Sequence, residues 1–296
     1  MSDPVARGQL HALATALEVD PARIDYLGRL DVDDVYALRS AVSAAMFDSL
    51  EPVFVRLSKL APLVPDALAA SLAEKIVPPV VSGMAAGALG KDHPKRIPNI
   101  LMRISPQYLA DAAPFLDPRV IPTLAPVLGL EVLLPAAREL LRRRDFLTAA
   151  GFVEHSPSAL IAGLATGIDD DEGLLHTAAL IPFRVRLNDI LRCFPEGRVQ
   201  QVIAAAAVGS GECLVSAVSV LRRLDDDLAA EYGHTFFASL DEPGLARLLV
   251  VARAEGVVGD VVDIAVQLGP DTTARIADSD LLEPEREQLR ALAPAE

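Results

Sequence analysis

Proline and aspartate interrupt this chain every few helical turns, and the segments between them are aliphatic at helical spacing. There are 22 prolines. A proline inside a helix costs about 3 kcal/mol, whereas one in the first turn is tolerated. The breaks at Pro62, Pro65, Gly90 to Pro98, Pro114, Pro118, Pro135, Gly167 to Gly173, Pro182, Pro195, Gly209 to Gly211, Pro243, Gly269 and Pro284 therefore divide the chain into short helices. Leu10, Leu13 and Leu17 line one helical face. Val35, Leu38, Val42, Ala45, Met46 and Leu50 line another, with Pro52 expected to break or restart it. Asp20-Pro21 has the pattern of a capped helix start. The Val-rich stretch 246–268 is the best strand candidate. Yet Leu248, Val251, Ala252, Val258, Val261, Val262 and Ala265 keep helical spacing, so Gly256 and Gly259 are read as a turn between two short helices.

The punctuation recurs. Pro106, Leu109, Leu116 and Asp117 correspond to Pro157, Leu160, Ile168 and Asp169. Pro65 and Leu68 open an earlier copy, and Ser210, Leu214 and Leu224-Asp225 mark a later one that has lost its proline. The spacing is roughly 40–55 residues. One such unit cannot bury its own apolar face, so neighbours must cover it. Asp117, Asp169 and Asp225 are expected to cap the second helix of each unit. The fold expected is all-α: a right-handed superhelical α-solenoid of short helix pairs or triplets. The polar segment Gly90–Asn99 is the candidate seam. It divides an N-terminal helical segment, 1–90, from a helical-repeat domain, 91–296, unless 1–296 is one continuous domain.

The stretch "SPQYLADAAPFLDPRVIPTLAPVL" resembles the helical repeats of the cytoplasmic N-terminal domain of MgtE-type magnesium transporters and of the flagellar motor switch protein FliG. The resemblance spans roughly residues 60–240. It implies a superhelical interaction or regulatory domain. The family repeats are shorter and richer in Glu, and the transporter's membrane helices have no counterpart here. Ion transport is therefore not implied, and no functional residue carries over.

Composition narrows the partners. The net charge is −14, which repels phosphate backbones and anionic leaflets and argues against nucleic acid. Apolar residues make up 51% of the chain and aromatics 4%, with no Trp. The core must therefore be Leu, Val, Ile and Ala at close range. The longest apolar stretch, Ile76 to Gly90, is shorter than the ~18 residues a membrane span needs and contains Pro78 and Pro79. "MSDPVARGQL" has no apolar signal-peptide core. Cys193 and Cys213 form no CxxC motif and are read as reduced, buried thiols. A cytoplasmic protein is expected.

Motifs of catalysis are missing: no GxGxxG after a strand, no phosphate-binding loop, no GxSxG and no HExxH. No cofactor and no metal ligand is assigned. Glu154-His155-Ser156 sets a carboxylate, an imidazole and a hydroxyl side by side, but consecutive helical residues do not face one another. The acidic runs "IDDDEG" and "LDDDLAAE" read as solvated helix starts. Arg142, Arg143 and Arg144 at a helix end, with Arg184 and Arg186 further on, are candidates for an anionic or acidic partner; His155 and His176 are candidates across a repeat. The expected function is a non-enzymatic scaffold that binds a protein. The alternatives are a carrier or sensor of an apolar small molecule or lipid, and an enzyme with an unrecognised site.

Overall fold

The structure is a computed structural model that describes residues 4–17, 19–59 and 63–277. Among the described residues there are eighteen α-helices and no strand. The breaks read at Pro62 and Pro284 lie outside the described residues. The chain divides into two compact units, Ser2–Asp170 and Asp171–Glu296.

The first unit contains α1 (Pro4–Ala16), α2 (Val32–Ser58), α3 (Asp66–Ile76), α4 (Pro79–Asp92), α5 (Ile97–Leu101), α6 (Pro106–Ala112), α7 (Ile121–Leu124), α8 (Leu130–Arg142), α9 (Phe146–Glu154) and α10 (Ser158–Gly167). Helix α1 packs on α2, and then α2 on α4, α4 on α6, α6 on α8 and α8 on α10. Gly90–Asn99, read as a seam, lies inside this unit. Ile97 is buried with Leu124 and Leu128, and Arg96 bonds Asp66 and the carbonyl of Val64.

Two prolines act differently from their expected roles. Pro52 lies inside α2 and Pro135 inside α8. Pro52 and Asp48, the residue whose carbonyl loses its partner, are both exposed, so the missing bond lies on the solvent side.

The second unit contains α11 (Asp171–Ala179), α12 (Arg184–Arg192), α13 (Arg198–Val208), α14 (Gly211–Leu221), α15 (Asp226–Ser239), α16 (Glu242–Glu255), α17 (Val258–Leu268) and α18 (Pro270–Ala277). Helix α11 packs on α13 and α14, α13 on α15, α14 on α16, and α15 on α17. The Val-rich stretch forms α16 and α17. Between them Gly256 adopts φ 72°, a left-handed C-cap that suits glycine. Leu187, Leu214, Ala217, Phe236, Val261 and Ala265 are fully buried. Each Leu buried this way contributes about 2 kcal/mol. The alanines at the contacts let helices approach closely.

Helix pairs in this unit start at Asp171, Arg198, Asp226 and Val258, roughly thirty residues apart. The spacing read between Pro157 and Ser210 thus counts two pairs. One device joins successive pairs. Arg223, just past α14, donates to the carbonyls of Ala178, Ala179 and Ile181 at the end of α11. Arg247 of α16 donates to Ala207 at the end of α13 (2.9 Å). Arg275 of α18 donates to Phe237 (2.9 Å) and Leu240 (2.8 Å) at the end of α15. Each guanidinium supplies donors to carbonyls in the last turn of a helix or just past it, at its negative end.

The Pro- and Ser-led starts are helix starts, as read. Ser105 caps α6, accepting from the Tyr108 N–H, and Ser210 caps α14, accepting from the Cys213 N–H. The aspartates differ. Asp117 caps the single 3-10 turn Pro118–Val120. Asp169 stands two residues before α11. Asp225 occupies the N-cap of α15 with no capping bond, because Arg192 holds its carboxylate at 2.9 Å.

Candidate functional site

The arginines of the sequence-derived candidate set meet intramolecular partners. Arg142 and Arg143 both bond Glu139, which they hold at a pKa of about 2, the hydrogen bonds from Arg142 and then Arg143 being the main cause. Arg143 also bonds Asp111 and the carbonyl of Gln107. Arg144 has φ 60° and stacks its guanidinium 5.3 Å from the Phe146 ring centroid. The neighbouring amides of Arg144 and Asp145 close the end of α8 on Leu141 and Leu140. Arg184 donates to the Leu224 carbonyl at 2.9 Å, and Arg186 is half-buried on α12. Arg142, Arg143, Arg144 and His155 belong to the first unit; Arg184, Arg186 and His176 belong to the second.

Glu154, His155 and Ser156 do not form a relay. Tyr36 donates to Glu154 at 3.2 Å, and this partly buried phenol has its pKa raised, first by desolvation and then by the Glu154 charge. The Ser156 hydroxyl donates back to the Phe152 carbonyl at 2.8 Å, so it closes α9. His155 is the C-cap of that helix.

His176 is different. It lies on α11 with 7% of its surface exposed, one turn after Glu172. Its Nε2 stands 3.4 Å from Glu172 Oε1 and 3.9 Å from the Sγ of Cys213 on α14, which is 2% exposed. Its Nδ1 is 2.8 Å from the hydroxyl of Ser216. Glu172 and His176 are spaced i, i+4 and share one face of α11. Cys213 and Ser216 are spaced i, i+3 and share one face of α14, and these two helices pack together. The Ser210 hydroxyl also donates to the Cys213 sulfur at 3.3 Å.

Chemically, thiol and carboxylate converge on the same imidazole nitrogen. A nucleophile–base–orienter triad needs them on opposite ring nitrogens. The order found here suits three donors around one point. The sequence reading missed Glu172 and Cys213 because it took one as a solvated helix start and the other as an inert core thiol. The available signal was Glu-x-x-x-His on a helix, with a Cys one helix pair later.

An apolar pocket lies nearby in the same unit, lined by residues including Leu175, Leu191, Phe194, Val202, Ile203 and Tyr232. Its volume is about 20 Å³, room for one water-sized sphere and far below a small-molecule site. Among the described residues no helix is long and apolar enough to cross a membrane. Comparison of the chain with family models, curated proteins and solved structures found no match.

Proposed function

We propose that this is a non-enzymatic helical-repeat scaffold of the cytoplasm that binds a protein partner. One observation carries the reading. Along α3, Leu68 (51% exposed), Leu72 (40%) and Ile76 (71%) form an i, i+4, i+8 apolar row, and Leu63, Val80 and Val81, near the helix in sequence, are exposed as well. An apolar row of this length on a water-facing helix is costly unless something docks there. Its spacing matches the anchors of an amphipathic partner helix. The net charge of −14 favours a partner with basic flanks.

The repeated arginine latches and the pair-on-pair packing support a stack of helix pairs, a right-handed α-solenoid of the kind that resembles the MgtE-type and FliG repeats. Stacks of this kind present extended binding surfaces.

A photo-crosslinking residue at position 72 tests the reading, with one at exposed Val208 as control. The expected result is one protein crosslinked from position 72 and not from position 208, lost when Leu68→Glu and Ile76→Glu are added. Equal crosslinking from both positions, or capture that survives the two glutamates, overturns it.

A further inference from the structure

We propose that Glu172, His176 and Cys213 bind a divalent metal ion of the zinc class between α11 and α14. The three ligand atoms lie within 4.8 Å of one another. A tetrahedral zinc ion, with bonds of about 2.3 Å to sulfur and about 2.0–2.1 Å to nitrogen or oxygen, separates its N and O donors by roughly 3.4 Å and its N and S donors by roughly 3.6 Å. The imidazole stands 3.4 Å from the carboxylate and 3.9 Å from the thiol, and carboxylate and thiol lie within 4.8 Å of each other, so seating the ion requires the thiol to close on both partners.

The donor set selects the ion. One thiolate, one imidazole and one carboxylate suit a borderline-soft ion, whereas calcium and magnesium take oxygen ligands. Ser216 acts behind the ring: its bond to Nδ1 holds Nε2 toward the other two donors, the role that a carboxylate, carbonyl or water plays behind most metal-bound histidines. Glu172 is half-exposed and gives the ion a route from solvent, while Cys213 and His176 are buried. On binding, Cys213 gives up its thiol proton to solvent, and the thiolate, imidazole and carboxylate leave one tetrahedral position for water or an exogenous ligand. The ion would tie α11 to α14, which belong to successive pairs. This inference is independent of the partner-binding reading.

The test uses the full chain, stripped with chelator, kept reduced and titrated with cobalt(II) as the probe. A single equivalent is expected to give thiolate-to-cobalt charge transfer in the near ultraviolet, with the intense visible bands of a four-coordinate ion, both erased by zinc. Cys213→Ser removes the charge-transfer band and Cys193→Ser retains it. Glu172→Gln, at a half-exposed position that leaves the core intact, weakens cobalt binding at least about tenfold, and Ser216→Ala weakens it about ten- to a hundred-fold. No band from the unsubstituted chain, a band that persists in a folded Cys213→Ser variant, or unchanged affinity in Glu172→Gln overturns the proposal. If Cys213→Ser fails to fold, the Glu172→Gln titration decides.

Discussion

The buried side chain of Asn188 accepts a hydrogen bond from the backbone N–H of Asp225 at 2.7 Å, so a residue of α12 holds the first turn of α15. Its amide also donates to the Arg223 carbonyl at 3.0 Å and to the Arg184 carbonyl at 2.8 Å. Asn188→Leu keeps the branched shape and removes the acceptor of the Asp225 N–H and the donor to the Arg223 carbonyl. We expect a loss of about 2–4 kcal/mol of unfolding free energy, read from urea denaturation. An unchanged midpoint would show that water replaces the amide.

Arg223 carries three carbonyls of the preceding pair on one guanidinium and also bonds Ser219. Arg223→Met should cost about 2–3 kcal/mol in the same assay. Arg223→Lys should recover less than half of that, because an ammonium cannot span the fork of acceptors. Full rescue by lysine would mean that charge alone matters at this helix end.

Glu139 sits between Arg142 and Arg143 with its pKa held at about 2, below the ordinary 4.5. A depressed carboxyl pKa stabilises the fold fully above the ordinary value, and the contribution fades as pH falls through the folded value. The stability gap between the unsubstituted chain and Glu139→Gln should therefore be constant above pH 4.5 and shrink between there and about pH 2. Denaturant midpoints at stepped pH check this; a gap that widens on acidification contradicts it.

Two glycines should respond oppositely to alanine. A Cβ on Gly83 of α4 would overlap the Ala112 carbonyl oxygen and come within 2.8 Å of the Phe115 Cβ. Backbone cannot yield cheaply, so Gly83→Ala should lose about 1–3 kcal/mol. Gly151 lies inside α9 with nothing within 4 Å of an added Cβ. Gly151→Ala should gain about 0.5–1 kcal/mol from helix propensity alone. Thermal melts of the pair, run side by side, check the opposite signs.

The helical character was legible because it depends on local rules. Leu10 and Leu13 of the first apolar row are buried as their spacing implies, and Ser105 and Ser210 cap the helices they precede. Pro52 and Pro135 misled, since an exposed or half-exposed proline can sit within a helix when solvent is near the carbonyl it frees. Glu139, one turn earlier on α8, was a local sign that Arg142 and Arg143 already have an acceptor; the second acceptor of Arg143, Asp111, lies thirty-two residues away and left no such sign. His176 was visible as a candidate, but its companions were not: Glu172 looked like one more acid at a helix start.

The sequence by itself determined which segments are helices and where most of them begin, because backbone propensity and capping act over four or five residues. Only the tertiary structure decided that Arg223, Arg247 and Arg275 each close a helix of the preceding pair, and that Cys213 faces His176. Those relations depend on which faces meet when helices pack, and a contact across 37 residues leaves no mark on the local pattern at either end.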